Sequence, residues 1–310
     1  MAGKTGTTGT IENQAAGERP LNSDEMGRFP LDLSLVAPAH NEQDNIHALV
    51  SEVERVFTLL RESRGLVCEF IVVDDGSTDS TRGRVLELAA TRPWLRCVAM
   101  TRTPPGRGNG QSAAFKAGFA ATRGKLVAVL DADLQNDPAD LPAMLDLLAR
   151  DHADFVQGDR SHNRRDTLVR RYGSIVGRVF RRALLGDTIR DTGCSLRLMR
   201  REIAVQLPLE FRGMHRFIPV MARHMGAKVV EMPVRHRPRA AGETKYGSGL
   251  RRALPGLVDC FAVRYMRDRR RPTASVEVHA EESRVPGQSS PVEGVHPATN
   301  ESLNPAGVNS

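Results

Sequence analysis

From Leu31 onward, short runs that are nearly continuous in Val, Ile and Leu alternate with stretches whose apolar residues recur at helical spacing. LDLSLVAP at 31–38 reads as a strand. Glu42 to Arg61 reads as an amphipathic helix carrying Ile46, Leu49, Val50, Val53, Val56, Phe57 and Leu60 on one face, and CEFIVVDD at 68–75 as a second strand. A helix near Asp79 to Ala90, the strand LRCVAM, a helix over Gln111 to Ala121 and the strand KLVAVLDAD continue the series. Runs with no polar alternation belong to strands buried on both faces, so the chain is α/β, a mainly parallel sheet flanked by helices. In such sheets ligands bind beyond the carboxyl ends of the strands, at a topological switch point. The polar residues directly after each strand are therefore where chemistry is to be sought.

The 310 residues, 40% hydrophobic and 26% charged, suffice for one large core. Residues 1–28 and 272–310 are rich in Gly, Ser, Thr, Asn, Pro and Glu without apolar periodicity, and both read as disordered tails. No repeat of solenoid length is present, and the start lacks the apolar region of a signal peptide. No apolar run reaches the roughly 18 to 20 residues that span a bilayer; Ala253 to Val263 is short and interrupted by Pro255 and Asp259. Cys68, Cys97, Cys194 and Cys260 are far apart, which argues against a zinc site or disulfide framework and suits a reducing cytoplasm. The net charge of +7 points to an anionic partner: nucleic acid, phospholipid or a phosphorylated small molecule. Scarce aromatics and the lack of a binding motif disfavour nucleic acid.

Strand one ends in Pro38-Ala39-His40-Asn41-Glu42 and strand two in Asp74-Asp75-Gly76-Ser77-Thr78-Asp79. Asn41, Ser77 and Asp79 suit helix capping, while two acidic loops at one sheet edge also suit a nucleoside, whose base and ribose donors carboxylates can accept. Strand four runs into Asp131-Ala132-Asp133-Leu134-Gln135, with oxygen ligands at every second position. In an extended segment these would point one way, a plausible hard-cation site in which carboxylates and substrate phosphates hold Mg²⁺ or Mn²⁺. Asp137 and Pro138 then read as the cap and first residue of the next helix. The glycine-rich stretch Pro104 to Gln111 opens a helix and reads either as a flexible turn or as N–H groups facing an anion.

Arg160, Arg164, Arg165, Arg170, Arg171, Arg178, Arg181 and Arg182 crowd a region whose apolar residues, Leu168 to Leu184, recur at helical spacing. This reads either as a solvated face over a buried stripe or as a cationic amphipathic helix on an anionic membrane surface. Arg235 to Tyr246 is a basic, turn-rich loop able to fold over a diphosphate. His40, His215 and His236 are not spaced as a metal cluster.

Together these residues resemble the inverting glycosyltransferases of family 2, and within them the polyprenyl-phosphate (dolichyl- or undecaprenyl-phosphate) sugar synthases. The resemblance covers about residues 30 to 267. It rests on PAHNE at 38–42, VDDGSTD at 73–79, GNGQSAAFKAG at 108–118, LDADLQNDP at 130–138, DTGCSLRLMRR at 191–201 and RAAGETKY at 239–246. It implies a GT-A fold, a nucleotide-sugar donor (GDP-mannose or a UDP-hexose), a divalent metal and a polyprenyl-phosphate acceptor, hence a hexosyltransferase. By the same carry-over Pro38, Ala39, Asn41, Glu42, Asp75 and Asp131 cradle the nucleoside. Asp131, Asp133 and Gln135 hold Mg²⁺ or Mn²⁺. Arg160, Arg170 and Ser174 take the acceptor phosphate, and Arg239 and Lys245 neutralise the leaving diphosphate. His40 stands where the family usually has Tyr, and Thr244 where it has Ser. Many members continue into transmembrane helices after the position of Lys245; here Gly249 to Arg267 reads as an amphipathic helix followed by Arg269, Arg270 and Arg271. The implied organisation is a catalytic domain at 29–247, a basic amphipathic helix at 248–271 and the two tails. The implied place is the cytoplasmic face of the membrane, peripheral or docked on a separate small transmembrane partner.

A phosphate monoester has a second pKa near 6, so the acceptor is largely a dianion at pH 7 and needs no general base. A sugar hydroxyl would need one, and Asp191 is then the candidate. Transfer to a glycan or other hydroxyl would keep the donor half and change the acceptor; a processive polysaccharide synthase lacks its Q-x-x-R-W motif here. A nucleotide-sugar-binding membrane scaffold is the non-enzyme alternative, against which the intact Asp131, Asp133 and Gln135 argue.

Overall fold

The computed structural model describes residues 31–104, 106–163, 168–237 and 250–271. The chain divides into a unit of residues 1–269, which holds the elements below, and a second of 270–310, of which Arg270 and Arg271 are described. The strands are β1 (Leu31–Ala39), β2 (Cys68–Asp74), β3 (Leu95–Ala99), β4 (Gly124–Val129), β5 (Phe155–Asp159), β6 (Arg197–Arg200) and β7 (Val229–Pro233). The helices are α1 (Gln43–Arg64), α2 (Thr81–Ala89), α3 (Gln111–Ala121), α4 (Leu141–Arg150), α5 (Leu168–Leu185), α6 (Arg201–Gln206), α7 (Ile218–His224) and α8 (Leu250–Arg269). Every strand and helix expected from periodicity between Leu31 and Ala121 is present within a few residues of its expected ends.

The strands form one sheet in the order β3-β2-β1-β4-β6-β5-β7. Pairings β1–β2, β1–β4, β2–β3 and β5–β7 are parallel, while β6 runs antiparallel to both β4 and β5. The sheet is thus mainly parallel, as expected, with one reversed strand. Because the chain steps from β1 outward to β2 and β3 and then returns to the other side of β1 with β4, the switch point lies between β1 and β4.

The pleat sorts the apolar residues into two layers. Leu33, Leu35 and Ala37 of β1, with Phe70 and Val72 of β2, pack with Ile46, Leu49, Val53 and Leu60 of α1 and Met144 of α4. Val36, Ile71, Val73, Val127 and Val129 face the other way, toward Phe115 and Phe119 of α3, α6, α7 and the inner face of α8. Helix α3 lies against the sheet at Gly118, where a Cβ would collide with the Val36 side chain and sit 3.0 Å from that of Val73. Close approach here sets the position of the α3 N-terminus at the switch point.

Strand β4 stops at Val129, earlier than expected. Residues 130–135 form a turn in which Leu134 has a φ of 63°, so the alternation of an extended segment does not place Asp131, Asp133 and Gln135. The following cap is as expected: Asp137 accepts a hydrogen bond from the Ala139 N–H at 3.0 Å, and Pro138–Asp140 forms a 3-10 turn before α4.

Candidate active site

A cleft of about 490 Å³ opens at the carboxyl end of the sheet. Pro38 and Ala39 end β1, His40 and Glu42 follow it, Asp75 follows β2, and Asp131, Ala132 and Asp133 follow β4; the loop before α3 adds Gly106, Arg107, Gly108 and Gly110, and α3 itself begins with Gln111. Ala114 of α3 and Arg212, from the segment after α6, complete the lining. The topological argument thus finds the cleft, and Pro38, Ala39, Glu42, Asp75, Asp131 and Asp133 meet in it.

The first two loops are stitched together by the sequence's capping residues. The Asn41 amide oxygen accepts from the Thr78 N–H at 2.8 Å, the Asn41 N–H donates to Ser77 Oγ at 3.0 Å, and the Glu42 N–H donates to Thr81 Oγ1 at 2.8 Å. Asp79 accepts from the Thr81 N–H at 2.9 Å and from the Gln43 N–H at 3.2 Å, so one carboxylate serves the starts of both α1 and α2. Burial alone would raise its pKa; these hydrogen bonds hold it below the usual carboxylate range. Asn41, exposed and occupied in this way, does not line the cleft. Its side chain ties the loop after β1 to the loop after β2.

The glycine-rich loop folds onto Asp75. Its carboxylate accepts the Asn109 N–H at 2.8 Å and the Gly110 N–H at 2.7 Å. A Cβ on Gly108 would collide with that carboxylate, which is why glycine is needed there. The Asp75 carbonyl in turn accepts from His40 Nδ1 at 2.8 Å, fixing the tautomer with hydrogen on Nδ1. Asp75 therefore joins three loops, where the sequence suggested only a ligand contact.

Asp131 is held from both sides. Gln111 Nε2 donates to Oδ1 at 2.6 Å and Ser195 Oγ donates to Oδ2 at 2.6 Å, while Asn136 Nδ2 donates to Ser195 Oγ at 2.7 Å. Burial first, and then the neighbouring Asp133 charge, push Asp131 up to about 6, against the opposing pull of the Ser195 bond, Arg160 and Arg197. Asp133 accepts the Gln135 N–H at 3.1 Å through Oδ1. Among the described residues no three His, Cys, Asp or Glu side chains cluster as a complete metal site. Two neighbouring carboxylates nevertheless fit a divalent cation whose remaining ligands come from substrate phosphates. Gln135 is not among the residues lining the cleft.

Asp191 and Arg160 find each other. Arg160 donates through Nε to Asp191 Oδ2 at 2.8 Å and through Nη2 to Oδ1 at 3.3 Å, and the Gly193 N–H adds a bond to Oδ1 at 3.0 Å. Both are largely buried. Burial would lower the Arg160 pKa, but the bond and charge of Asp191 raise it. An Asp paired with a forked arginine is a poor general base, and its two oxygens hold the Arg160 guanidinium in one orientation. Beneath them lies Arg197, which donates to Gln157 Oε1 at 2.9 Å and the Thr192 carbonyl at 3.1 Å. Burial lowers its pKa to about 10, and Asp131 and Asp191 supply the opposing charge.

Arg170 and Ser174 fall within α5, their side chains outside the described residues, as are Arg239 and Lys245 altogether. The first residues of the basic loop are described and serve as an anchor. Arg235 pairs with Asp140 at 2.9 Å, and Arg237 with Asp137 at 2.6 Å and with Glu52 of α1 at 2.7 Å. The residues missed from sequence are Arg107, Gln111, Ser195 and Arg212. Arg107 and Gln111 lie in the glycine-rich stretch and Gln111 and Ser195 in the quoted motifs; Arg212 lies in neither.

The sequence pattern of glycosyl transferase family 2 matches residues 34–207. The chain is 36% identical over 244 residues to the undecaprenyl-phosphate 4-deoxy-4-formamido-L-arabinose transferase of Pseudomonas paraeruginosa, covering 78% of this chain and 69% of the relative. It is 34% identical over 246 residues to the dodecaprenyl-phosphate galacturonate synthase of Rhizobium johnstonii, with the same coverage of 78% and 69%. Among solved structures, glucosyl-3-phosphoglycerate synthase from Mycobacterium tuberculosis, in complex with Mn²⁺, UDP and phosphoglyceric acid, superposes with a TM-score of 0.52 at 23% identity, covering 77% of this chain and 78% of that one. A mannosyltransferase from Pyrobaculum calidifontis in complex with GDP-Man and Mn²⁺ gives 0.53 at 20% identity, covering 79% and 67%. These likenesses support the expected GT-A architecture. With the family's pattern spanning β1 to the end of α6 and every cleft loop in between, this chain belongs to glycosyl transferase family 2.

Proposed function

We propose that the protein is an inverting glycosyltransferase that moves a sugar from a nucleoside-diphosphate sugar to a polyprenyl phosphate. The observation that carries the donor half is the switch-point cleft, which joins the Asp75 and Pro38 loops to the Asp131–Asp133 turn. The acceptor half is supported by the names of the relatives at 36% and 34% identity. The donor base is uracil or guanine, the two nucleotides bound by the superposed neighbours.

The nucleoside lies along Pro38, Ala39, Glu42 and Asp75, and the diphosphate reaches toward Asp131 and Asp133. When bound, a Mg²⁺ or Mn²⁺ held by Asp133 and Asp131 supplies positive charge against the departing diphosphate. The chain's own part is to align the acceptor phosphate in line with the anomeric carbon and exclude water. Arg160, oriented by Asp191, with Arg170 and Ser174 takes that phosphate; Arg239 and Lys245 approach the leaving group. The acceptor is already a dianion, so the paired state of Asp191 is no obstacle to transfer.

The acceptor's source is a membrane, and α5 with α8 forms a surface suited to one. Val258, Phe261 and Tyr265 recur on one exposed face of α8, Val179 is exposed on α5, and Phe180 meets Phe261 edge to face at 5.8 Å. Arg178, Arg182, Arg264 and Arg269 are exposed on the same pair. No helix among the described residues is long and apolar enough to cross a membrane. Peripheral attachment to an anionic leaflet through this pair, with residues 29–247 as the catalytic domain, is the arrangement we favour.

The test is to incubate the protein with Mn²⁺, undecaprenyl phosphate and labelled UDP- and GDP-sugars, then extract the lipid. Label entering the organic phase from one donor is the expected result. Label on an added soluble glycan instead would overturn the acceptor and keep the donor half.

A further inference from the structure

Two arginines line the cleft, Arg107 and Arg212. Several arginines elsewhere are paired with carboxylates: Arg82 with Asp74 at 2.6 Å, Arg96 with Glu69 at 2.6 Å, Arg160 with Asp191 at 2.8 Å and Arg200 with Asp154 at 2.8 Å. Arg107 and Arg212 are exposed into the cleft, and among the described residues neither is ion-paired. Arg107 belongs to the loop whose N–H groups bind Asp75. Arg212 belongs to a segment tied to the first turn of α3, next to the Gln111 that holds Asp131.

That tie is specific. Ser112 Oγ accepts the His215 backbone N–H at 3.0 Å and lies 2.9 Å from His215 Nδ1. The hydroxyl thus grips His215 at two atoms, its backbone N–H and its ring nitrogen. Met214 and Phe217 are buried on either side, and Gly213, at a φ of 87°, leaves room for Asp259 of α8, whose carboxylate would lie 2.7 Å from a Cβ there. The segment is thus fixed from α3, from the core and from α8, and the Arg212 guanidinium projects from a rigid base. Asp131 and Asp133, which line the same cleft, carry like charge that repels any diphosphate brought to them. A fixed guanidinium in that cleft supplies compensating charge, and its planar fork suits two phosphate oxygens.

We propose that Arg212 binds the distal phosphate of the donor's nucleoside diphosphate, and that Ser112 and His215 are positioning residues that aim it. This rests on the nucleotide-sugar reading above. As transfer proceeds, an oxygen of the acceptor phosphate bonds the anomeric carbon while the bond from that carbon to the distal phosphate oxygen breaks; its electron pair stays on that oxygen, and the new charge forms beside Arg212. The residue therefore counts more toward the departing group than toward the nucleoside.

The test is calorimetric titration of the full chain, in Mn²⁺, with UDP, GDP, UMP and GMP. For whichever base the wild type binds, Arg212→Ala should lower the diphosphate's affinity by about 10- to 100-fold, as for loss of a charge-assisted hydrogen-bonded pair, and leave the monophosphate's unchanged. Arg212→Lys should recover part of the loss, keeping charge without the fork. Ser112→Ala should reduce the ratio of diphosphate to monophosphate affinity part of the way. Equal weakening of both nucleotides by Arg212→Ala, or of neither, overturns the assignment. An unchanged ratio in Ser112→Ala overturns the positioning role. Wild type that binds neither diphosphate overturns the donor reading itself, an outcome visible before any variant is made.

Discussion

Asp131 illustrates how much of this site depends on side chains that hold other side chains in place. Its two oxygens are claimed by Gln111 and Ser195, and Ser195 is held in turn by Asn136. Loss of such supporting bonds usually costs about 10- to 100-fold in metal affinity. Gln111→Ala and Ser195→Ala should each weaken Mn²⁺ binding by that order, read by titration of the nucleotide complex, while leaving the fold intact by circular dichroism. His215 makes a separate claim about acid. Burial first, and then Arg216 and Arg197, lower its pKa from the ordinary 6.5 to about 3. The unfolded chain therefore binds a proton that the native chain refuses, so its stability contribution is complete above pH 6.5 and is lost as pH falls from there toward 3. The slope is at most about 1.4 kcal/mol per pH unit. His215→Asn, which keeps an acceptor for Ser112, should lose less stability than wild type between pH 7.5 and pH 5 in urea unfolding, the pH values being chosen to bracket that range. An identical loss would contradict the buried neutral imidazole.

At the scale of elements, α3 connects core to cleft. Gly118 lets it lie against Val36 and Val73, and its first turn delivers Gln111 to Asp131 and Ser112 to the Arg212 segment. Gly118→Val should overpack this contact and cost about 1–3 kcal/mol, measured as a lower unfolding midpoint. Unchanged stability would mean that α3 can shift without penalty. The elements themselves were legible because buried parallel strands and amphipathic helices leave different periods in the sequence: Leu33, Leu35 and Ala37 against Ile46, Leu49 and Val53. The cleft was legible because topology places it at strand ends. What stayed hidden depended on contacts between distant segments. Nothing in DTGCSLRLMRR tells that Ser195 reaches Asp131 or that Arg160 will occupy Asp191, because these pairs are 64 and 31 residues apart. The Asp131–Gln135 spacing suggested an extended strand, yet Leu134 adopts a positive φ and the chain turns. Asn41 shows the same limit: its residue type suits either a cap or a ligand contact, and its bonds to Ser77 and Thr78 lie 36 and 37 residues away.

For the molecule as a whole, the basic balance of the sequence finds a place on α5 and α8, where exposed arginines flank Val179, Val258, Phe261 and Tyr265. Apolar insertion and attraction to anionic headgroups should act together. The protein should cosediment with vesicles containing phosphatidylglycerol and not with purely zwitterionic ones, and salt should weaken the binding. Val258→Ser with Tyr265→Ser should reduce it at constant charge; binding that ignores both lipid charge and these side chains would refute the surface.

The account stands or falls on Asp133 acting in the cleft as a donor-site carboxylate for transfer to lipid. The most direct measurement is the initial rate of label transfer from nucleotide sugar to undecaprenyl phosphate in Mn²⁺, for wild type and Asp133→Asn at matched folding. The predicted result is lipid-linked label with wild type and a fall of at least about 100-fold in the variant, the order expected for loss of a preorganised charge-stabilising group. A variant that transfers sugar at the wild-type rate would contradict the account, since the chemistry would then lie outside the cleft between β1 and β4.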